Sequence, residues 1–329
     1  MAPTKNTTAS TTLAIPLWFT ILAGLAIAAR VTVKLPSSEQ KNAIAWLKPS
    51  EVASRLADPG ETRELIFYDC MADWCPPCKK MERTTFQSKA IIESINKDFI
   101  PVRVNFSNET GPEEAATKSL KSKLSVYYLP TIAITLRNGD LVAKDWGAIN
   151  LKDLMKEAKK KAGLVRAERK LSQGLAGEAL TLLDAKKLSG EEPINDEIEI
   201  VVYDHTLRSL GKEDDCKRLL EKNYARVEEK RKALPPALNK PVFYTSLINY
   251  LQGKESFEKL VNEAANYNSD KGTAHLALAL KAMRDNDKTA AGKEFRKAAM
   301  DMSRGYNEDK LAEFYIDELE KGTQVAPAM

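Results

Sequence analysis

The sequence predicts an α/β domain with a central mixed sheet flanked by helices, followed by an all-α domain of helical hairpins. Between residues 43 and 162, short apolar runs typical of strands alternate with helical patterns. From about residue 163 to residue 321, strand signals stop and apolar or small residues recur at spacings of three and four. The length of 329 residues accommodates two domains and an additional segment. We therefore expect three parts, at residues 1–37, 38–163 and 164–329.

The N-terminal part contains an apolar segment from Leu13 to Ala29. As a helix, this segment would reach about 26 Å, close to the roughly 30 Å of a bilayer core. It is either a membrane anchor or the apolar region of a signal peptide, with a small-x-small cleavage pattern at Ala26-Ile27-Ala28. A buried core helix is the weaker alternative. The following stretch from Val31 to Lys41 carries Pro36-Ser37-Ser38, which is typical of a linker.

Apolar runs, helix caps and turn residues predict the helices and strands of the α/β part. Arg137-Asn138-Gly139-Asp140 is a turn signal between two apolar runs and therefore predicts a hairpin. Ser50 is expected to cap a short helix. The expected elements are a strand at Ala43–Trp46, a helix at Glu51–Ala57, a strand at Leu65–Cys70, a helix after Cys75, a strand at Phe99–Phe106, hairpin strands at Thr131–Leu136 and Leu141–Asp145, and a closing helix at Leu151–Ala162.

The C-terminal part shows turn residues at a rough period. Gly174, Gly211, Gly253 and Asn286 are 37, 42 and 33 residues apart. The unit around Asn286, with small residues before and after it, resembles a tetratricopeptide (TPR) repeat, in which small residues let paired helices approach. This resemblance implies an array of helical hairpins that offers a surface to a protein partner. A plain helical bundle is the alternative. In the hairpin interpretation Cys216 occupies a packing position and is a buried, inert thiol.

The pentapeptide Trp74-Cys75-Pro76-Pro77-Cys78 directly follows the central strand. Two cysteines at this spacing on a helix start can cycle between a dithiol and a disulfide. The helix N-terminus stabilises a thiolate, which lowers the pKa of the first cysteine from roughly 8.5 toward about 7 or below. The motif therefore indicates thiol–disulfide chemistry.

Two other interpretations of the cysteine pair are weaker. Structural zinc needs four ligands, with a second pair about 12–20 residues further on. A purely structural disulfide is also unfavoured, because so small a loop constrains the unfolded chain weakly. The chain's remaining cysteines and histidines are Cys70, Cys216, His205 and His275, and they do not form such a pair. We expect no metal.

Three further positions accompany the motif: Asp69 in the preceding strand, Arg103 in the next strand, and Pro130 before the hairpin. With them, the stretch from Asp69 to Phe86 resembles the C-terminal domain of DsbD-type thiol:disulfide interchange proteins, of the thioredoxin superfamily. The resemblance covers roughly residues 42–163 and implies a thioredoxin fold. Two features depart from it, because Pro76-Pro77 replaces the Gly-Pro of thioredoxin and Cys70 is an additional thiol.

The resemblance also implies roles for the site residues. Cys75 is the nucleophile that attacks a substrate disulfide, and Cys78 resolves the mixed disulfide. Asp69 corresponds to a buried carboxylate that manages the proton of Cys78, with Arg103 as its charge partner. Pro130 corresponds to a cis-proline that shapes the peptide groove, and Trp74 corresponds to a residue that covers the disulfide. No bound cofactor is needed, because electrons arrive from another dithiol.

The leading hypothesis is a protein-disulfide oxidoreductase whose helical domain docks clients and whose electrons come from an upstream thiol protein. The alternative is a helical-repeat adaptor with an accessory redox-sensing domain. A net charge of +4 is too small to indicate nucleic-acid binding, and we find no glycine-rich phosphate loop. Positive residues follow the apolar segment, which favours a cytoplasmic location for the rest of the chain. Redox domains of this type are usually exported, and we therefore expect an extracytoplasmic or periplasmic location, tethered or secreted.

Overall fold

The computed structural model describes residues 43–107, 111–233, 243–264, 267–304 and 310–321. The expected anchor or signal segment at residues 13–29 and the linker after it lie outside these ranges. Within the described ranges, no helix is both long enough and apolar enough to cross a membrane.

A four-stranded mixed sheet forms the centre of the N-terminal half. Strand β1 is parallel to β2 and antiparallel to β3, and β3 continues into the antiparallel hairpin with β4. The order across the sheet is β2-β1-β3-β4. This arrangement confirms the predicted thioredoxin fold. The strands are β1 Leu65–Met71, β2 Phe99–Asn105, β3 Thr131–Leu136 and β4 Leu141–Trp146.

Helices cover both faces of the sheet, which is why every residue of β1 is buried. Side chains alternate between the faces. Phe67 packs on one face with Phe99 and Phe86, whereas Ile66 and its alternating neighbours pack on the other. The helices are α1 Val52–Ala57, α2 Pro76–Thr84, α3 Lys89–Asp98, α4 Pro112–Lys123 and α5 Leu151–Ser172.

The first elements differ from the sequence prediction. Residues 43–46 form no strand, and only Leu47 makes a single parallel bridge, to Val102. The reason is that the Asn96 side chain bonds the backbone of Ala43 and Ala45 in place of a strand partner. The prediction that Ser50 caps the first helix is also wrong. Ser50 lies inside a 3₁₀ turn, Pro49–Glu51, and its hydroxyl bonds Glu113.

Among the described residues of the C-terminal half, all regular elements are helices, as predicted. Buried apolar residues from successive helices form one core, which includes the small residues Ala179, Ala291 and Ala298 and the free thiol of Cys216. The helices are α6 Ala176–Leu182, α7 Ala185–Leu188, α8 Glu197–Ser209, α9 Glu213–Lys232, α10 Phe243–Leu251, α11 Phe257–Glu263, α12 Asn268–Arg284, α13 Lys288–Arg304 and α14 Leu311–Glu320.

The four predicted turn residues each separate two helices and have positive φ values. At each turn, the turn residue bonds a carbonyl three positions back and the next residue bonds one five positions back. At Gly174 these bonds reach Leu171 and Lys170, both at 2.9 Å. This is the Schellman pattern, which stops a helix with a left-handed residue. The same two bonds occur at Gly211, Gly253 and Asn286.

Helix α5 belongs to both halves of the molecule. The closing helix was expected to end at Ala162, but α5 continues to Ser172. Its first part, through Val165, packs with the sheet, while Leu171 packs in the helical core. Phe314 of the last helix also packs in the core of the sheet.

Candidate functional site

The cysteine motif occupies the turn between β1 and α2. Cys75 is the N-cap of α2, and Pro76 follows at the first helical position, where a missing N–H costs nothing. Cys75 and Cys78 form a disulfide, with an S–S distance of 2.10 Å. The backbone N–H of Cys78 donates a hydrogen bond to Sγ of Cys75 at 3.3 Å. The structure therefore joins the two cysteines of the motif, and their redox activity remains a prediction.

The position on the helix distinguishes the two cysteines, whereas burial does not. Cys75 and Cys78 are 3% and 4% exposed. Cys75 stands at the helix end, where the Cys78 N–H and the helix dipole face its sulfur, and both would stabilise a thiolate there. Cys78 lies within the first turn of the helix. This arrangement favours Cys75 as the attacking sulfur.

The loop before the motif is fixed by residues at the end of β2. The Asn105 side-chain amide donates to the carboxylate of Asp73 at 3.0 Å. The hydroxyl of Ser107 accepts a hydrogen bond from the backbone N–H of Asp73. The side-chain oxygen Oδ1 of Asn105 accepts in turn a hydrogen bond from the backbone N–H of Ser107 at 3.0 Å. These bonds hold the residue next to Trp74, and sequence reasoning did not identify them.

Asp69 is a buried carboxylate in the middle of β1. It is 3% exposed and sits directly opposite Arg103 in the register of β1 and β2. Burial raises the pKa of Asp69 to about 6, and the Arg103 guanidinium opposes this shift. A carboxyl group with this pKa can both release and accept a proton near neutral pH.

Arg103 links the buried carboxylate to helix α2. Its Nε lies 3.2 Å from the Asp69 carboxylate, and its Nη1 lies 2.8 Å from that of Glu82. The guanidinium also stacks 4.5 Å from the centre of the Trp46 ring. The contact between Arg103 and Asp69 is the one that the resemblance implies. Glu82 was missed, although its position one helical turn after Cys78 was a usable signal.

The bond between Leu129 and Pro130 is a cis peptide, as the resemblance implies. Leu129 packs against the apolar cluster that contains both cysteines. The Pro130 carbonyl accepts a hydrogen bond from Gly147 at 3.0 Å, which brings the end of β4 beside this loop. The predicted role of Pro130 in shaping a peptide groove remains a prediction.

Large aromatic side chains are exposed around the motif and the proline loop. Tyr128 and Trp146 stack with ring centres 6.4 Å apart. Trp74 is 69% exposed, and its expected role as a cover over the disulfide remains a prediction. Tyr127 is exposed as well. Exposed aromatic groups of this size are typical of protein-contact surfaces.

The two remaining cysteines are buried free thiols. Cys70 follows Asp69 in β1 and packs on the opposite face of the sheet, because side chains alternate along a strand. Burial raises the pKa of both Cys70 and Cys216. Neither thiol is thus poised to react. The described part of the chain also contains no group of three or more potential metal ligands.

Comparison with known proteins identifies the fold family of this site. A family model described as a thioredoxin-like domain matches residues 53–162. A solved structure described as DsbH oxidoreductase is 16% identical, with 42% of this chain and 98% of that chain covered and a TM-score of 0.32. Another, of a protein proposed to be a disulphide-isomerase from Bacteroides thetaiotaomicron, is 26% identical, with 37% and 94% covered and a TM-score of 0.29. Among curated proteins, none matches. Residues 53–162 thus form a thioredoxin-like domain.

Proposed function

We propose that this protein is a thiol:disulfide oxidoreductase that exchanges disulfides with protein clients. The observation that carries the proposal is the position of Cys75. It caps helix α2 and lies within disulfide distance of Cys78, in a thioredoxin-like domain. The helix end favours a thiolate on Cys75, and a thiolate is the form that attacks a disulfide.

In the reduced protein, the Cys75 thiolate attacks one sulfur of a client disulfide. The client's second sulfur leaves as a thiolate, and a mixed disulfide joins Cys75 to the client. Cys78 then loses its proton and attacks the sulfur of Cys75, which releases the client as a dithiol and closes the disulfide seen in the structure. Asp69, with a pKa of about 6, is the group that accepts the proton of Cys78. Two electrons from an upstream dithiol protein return Cys75 and Cys78 to the reduced state.

We further propose that the helical half docks the clients and that the protein works on the extracytoplasmic side of a membrane. Stacked helical hairpins present extended surfaces that suit proteins rather than small ligands. The apolar segment at residues 13–29 supports export, either as an anchor or as a signal peptide.

The test of the exchange mechanism is a trapping experiment. The Cys78→Ala variant lacks the resolving thiol and should accumulate mixed disulfides between Cys75 and clients, whereas the Cys75→Ala variant should not. In the reduced wild type, alkylation should label Cys75 first and leave the buried Cys70 and Cys216 unlabelled. Preferential labelling of Cys78, or a Cys78→Ala variant that captures no client, would contradict the proposal.

The direction of electron transfer follows from the reduction potential of the Cys75–Cys78 pair, measured at equilibrium against glutathione. A value near about −270 mV indicates a reductant of the thioredoxin type, and one near about −120 mV a strong oxidant. An adaptor with an accessory redox domain makes a different prediction, because its Cys75→Ser/Cys78→Ser variant would keep its phenotype and its partner. Loss of the phenotype in that variant supports the oxidoreductase.

A further inference from the structure

A groove of about 830 Å³ lies beside the motif helix. One wall is helix α2, which contributes Pro77 and Met81. The opposite wall is the loop after β4 together with the start of α5, from Gly147 to Lys152. Ile91 of α3 contributes a further apolar surface. The groove is wide enough to take a large side chain and the backbone next to it.

The lining of the groove is mainly apolar, with two positive charges and the uncharged polar residues Thr84, Thr85, Ser88 and Asn150. Met81, Ile91 and Ile149 provide apolar surface. The charged residues among its described lining are Lys80 and Lys152, which stand on opposite walls, and no carboxylate lines it. Both lysines are exposed. An occupant with an apolar side chain and neighbouring carboxylates therefore complements both the surface and the charge.

The groove is continuous with the redox site. Pro77 lies between the two cysteines of the motif and also lines the groove. Gly147, on the other wall, follows the exposed Trp146 and bonds the carbonyl of Pro130. A polypeptide whose disulfide meets Cys75 can thus continue directly into the groove without crossing a gap in the surface.

We propose that this groove binds the segment of a client that flanks its reactive cysteine, and that it selects an apolar side chain next to acidic residues. This inference rests on the proposed function of the cysteine pair and adds a substrate class to it. The apolar side chain enters between Met81 and Ile149. Lys80 and Lys152 attract the adjoining carboxylates, an effect that is screened as salt increases.

The experiment measures single-turnover reduction of short synthetic peptides by the reduced, full-length protein. Each peptide carries one cysteine joined by a disulfide to glutathione. Attack by Cys75 releases either thiol, closure of the Cys75–Cys78 disulfide releases the other, and two electrons pass from protein to peptide. The probes place leucine followed by two glutamates at varied distances on either side of the cysteine, and matched peptides carry lysine for glutamate or alanine for leucine.

At low salt we expect the acidic leucine peptides to react about fivefold faster than the lysine peptides, which is the size of a favourable exposed charge contact. They should also react faster than the alanine peptides, whose side chain buries less apolar surface in the groove. The Lys80→Glu/Lys152→Glu variant should lose this preference and should reduce the uncharged bis(2-hydroxyethyl) disulfide at the wild-type rate. Its matched control is Arg83→Glu/Lys156→Glu, which changes the same charge on the same two helices outside the groove and should keep the preference. Ala148→Trp fills the groove without a change in charge and should also lose it.

The outcomes separate this inference from the proposed function. Wild-type protein whose Cys75–Cys78 pair exchanges neither with reduced glutathione nor with bis(2-hydroxyethyl) disulfide contradicts the oxidoreductase itself. Normal exchange with these small reagents and no preference among the peptides overturns the groove proposal alone. Equal effects of the groove variant and its control also overturn it. Binding to phosphatidylglycerol vesicles that depends on Lys80 and Lys152, without peptide preference, would assign the groove to a lipid surface instead.

Discussion

Asp69 illustrates how a buried carboxylate reduces the stability of the domain that holds it. Its pKa is about 6 in the folded protein, against an ordinary value of 3.8. As pH rises through this interval, the unfolded chain releases the proton first, and the folded state becomes progressively less favourable. Above about pH 6 the cost is constant, and it amounts to up to about 3 kcal/mol.

We therefore expect Asp69→Asn to stabilise the protein at alkaline pH. The substitution removes the buried charge, and the gain in the free energy of unfolding should be about 1 to 3 kcal/mol near pH 8, falling toward zero near pH 4. Urea unfolding across this pH range measures it. Asp214→Asn, at an exposed position of α9, is the control and should change little. A loss of stability at pH 8 would mean that the carboxylate is a net stabilising partner of Arg103.

At the scale of single residues, the sequence predicted the pairs that lie in neighbouring strands but not the contacts that depend on the tertiary fold. The resemblance implies that Asp69 pairs with Arg103, and the structure brings the two side chains together. Glu82 is a second partner of Arg103 because helix α2, which begins within the motif, turns this residue toward β2. The bond from Asn105 to Asp73 depends equally on how the loop after β1 passes the end of β2.

At the scale of elements, the turns between helices give a prediction about glycine-to-alanine substitutions. Whether such a substitution raises or lowers the free energy of unfolding depends on the backbone conformation of the glycine. Gly211 has φ +67°, a conformation that side chains disfavour, whereas Gly177 lies in helix α6 without such a φ. A Cβ at either position would meet nothing within 4 Å. Gly211→Ala should therefore lower the free energy of unfolding by about 1 kcal/mol, and Gly177→Ala should raise it by up to about 1 kcal/mol. Thermal melting distinguishes the two, and equal shifts would contradict the assigned turn.

The same turns show which elements a sequence can specify. A left-handed glycine or asparagine is a local requirement of the chain, and all four predicted positions are turn residues. The expected strand at Ala43–Trp46 failed because a distant side chain, Asn96, takes its hydrogen bonds. The end of α5 was predicted too early because its pattern changes where it passes from one core to the other, although the helix itself continues.

Three helices of the C-terminal half meet at His205, which is buried. The Arg284 guanidinium can only donate, so its contact with Nδ1 at 3.0 Å leaves the proton on Nε2, which donates to the hydroxyl of Tyr315 at 3.1 Å. Burial, with the nearby charge of Arg284, lowers the pKa of His205 from 6.5 to about 3. The folded protein therefore keeps this ring neutral over a pH range in which the unfolded chain protonates it.

We expect His205 to make the protein sensitive to acid. Below about pH 6.5 the unfolded chain gains a proton that the folded state cannot take, and near pH 5 the loss of stability should be about 2 kcal/mol. His205→Gln retains an acceptor and a donor and should reduce the difference in urea midpoint between pH 7 and pH 5. His275→Gln changes the chain's other histidine and serves as the control. An unchanged pH dependence of stability in His205→Gln would contradict the assignment of the acid sensitivity to His205.

At the scale of the whole molecule, the two halves share structure across residue 163. Arg169 of α5 pairs with Asp140 in the hairpin turn, and its guanidinium lies 3.6 Å from the centre of the Phe314 ring. Arg166 pairs with Glu64 at 3.2 Å. A boundary inside α5 would separate these groups from the sheet they stabilise.

The expected boundary at residues 163 and 164 therefore gives the last prediction. Fragments 38–163 and 38–172 both keep the cysteine motif and should both reduce a small disulfide. The longer fragment keeps Val165, the pair of Arg166 with Glu64 and the pair of Arg169 with Asp140, and we expect it to melt at the higher temperature. Both should melt below the full chain, because burial of Phe314 against the sheet is lost, and the loss of a buried phenylalanine costs about 3 kcal/mol or more. Equal melting temperatures for the two fragments would show that the sheet needs nothing beyond residue 163, and α5 would then be a connector rather than a shared part of two cores.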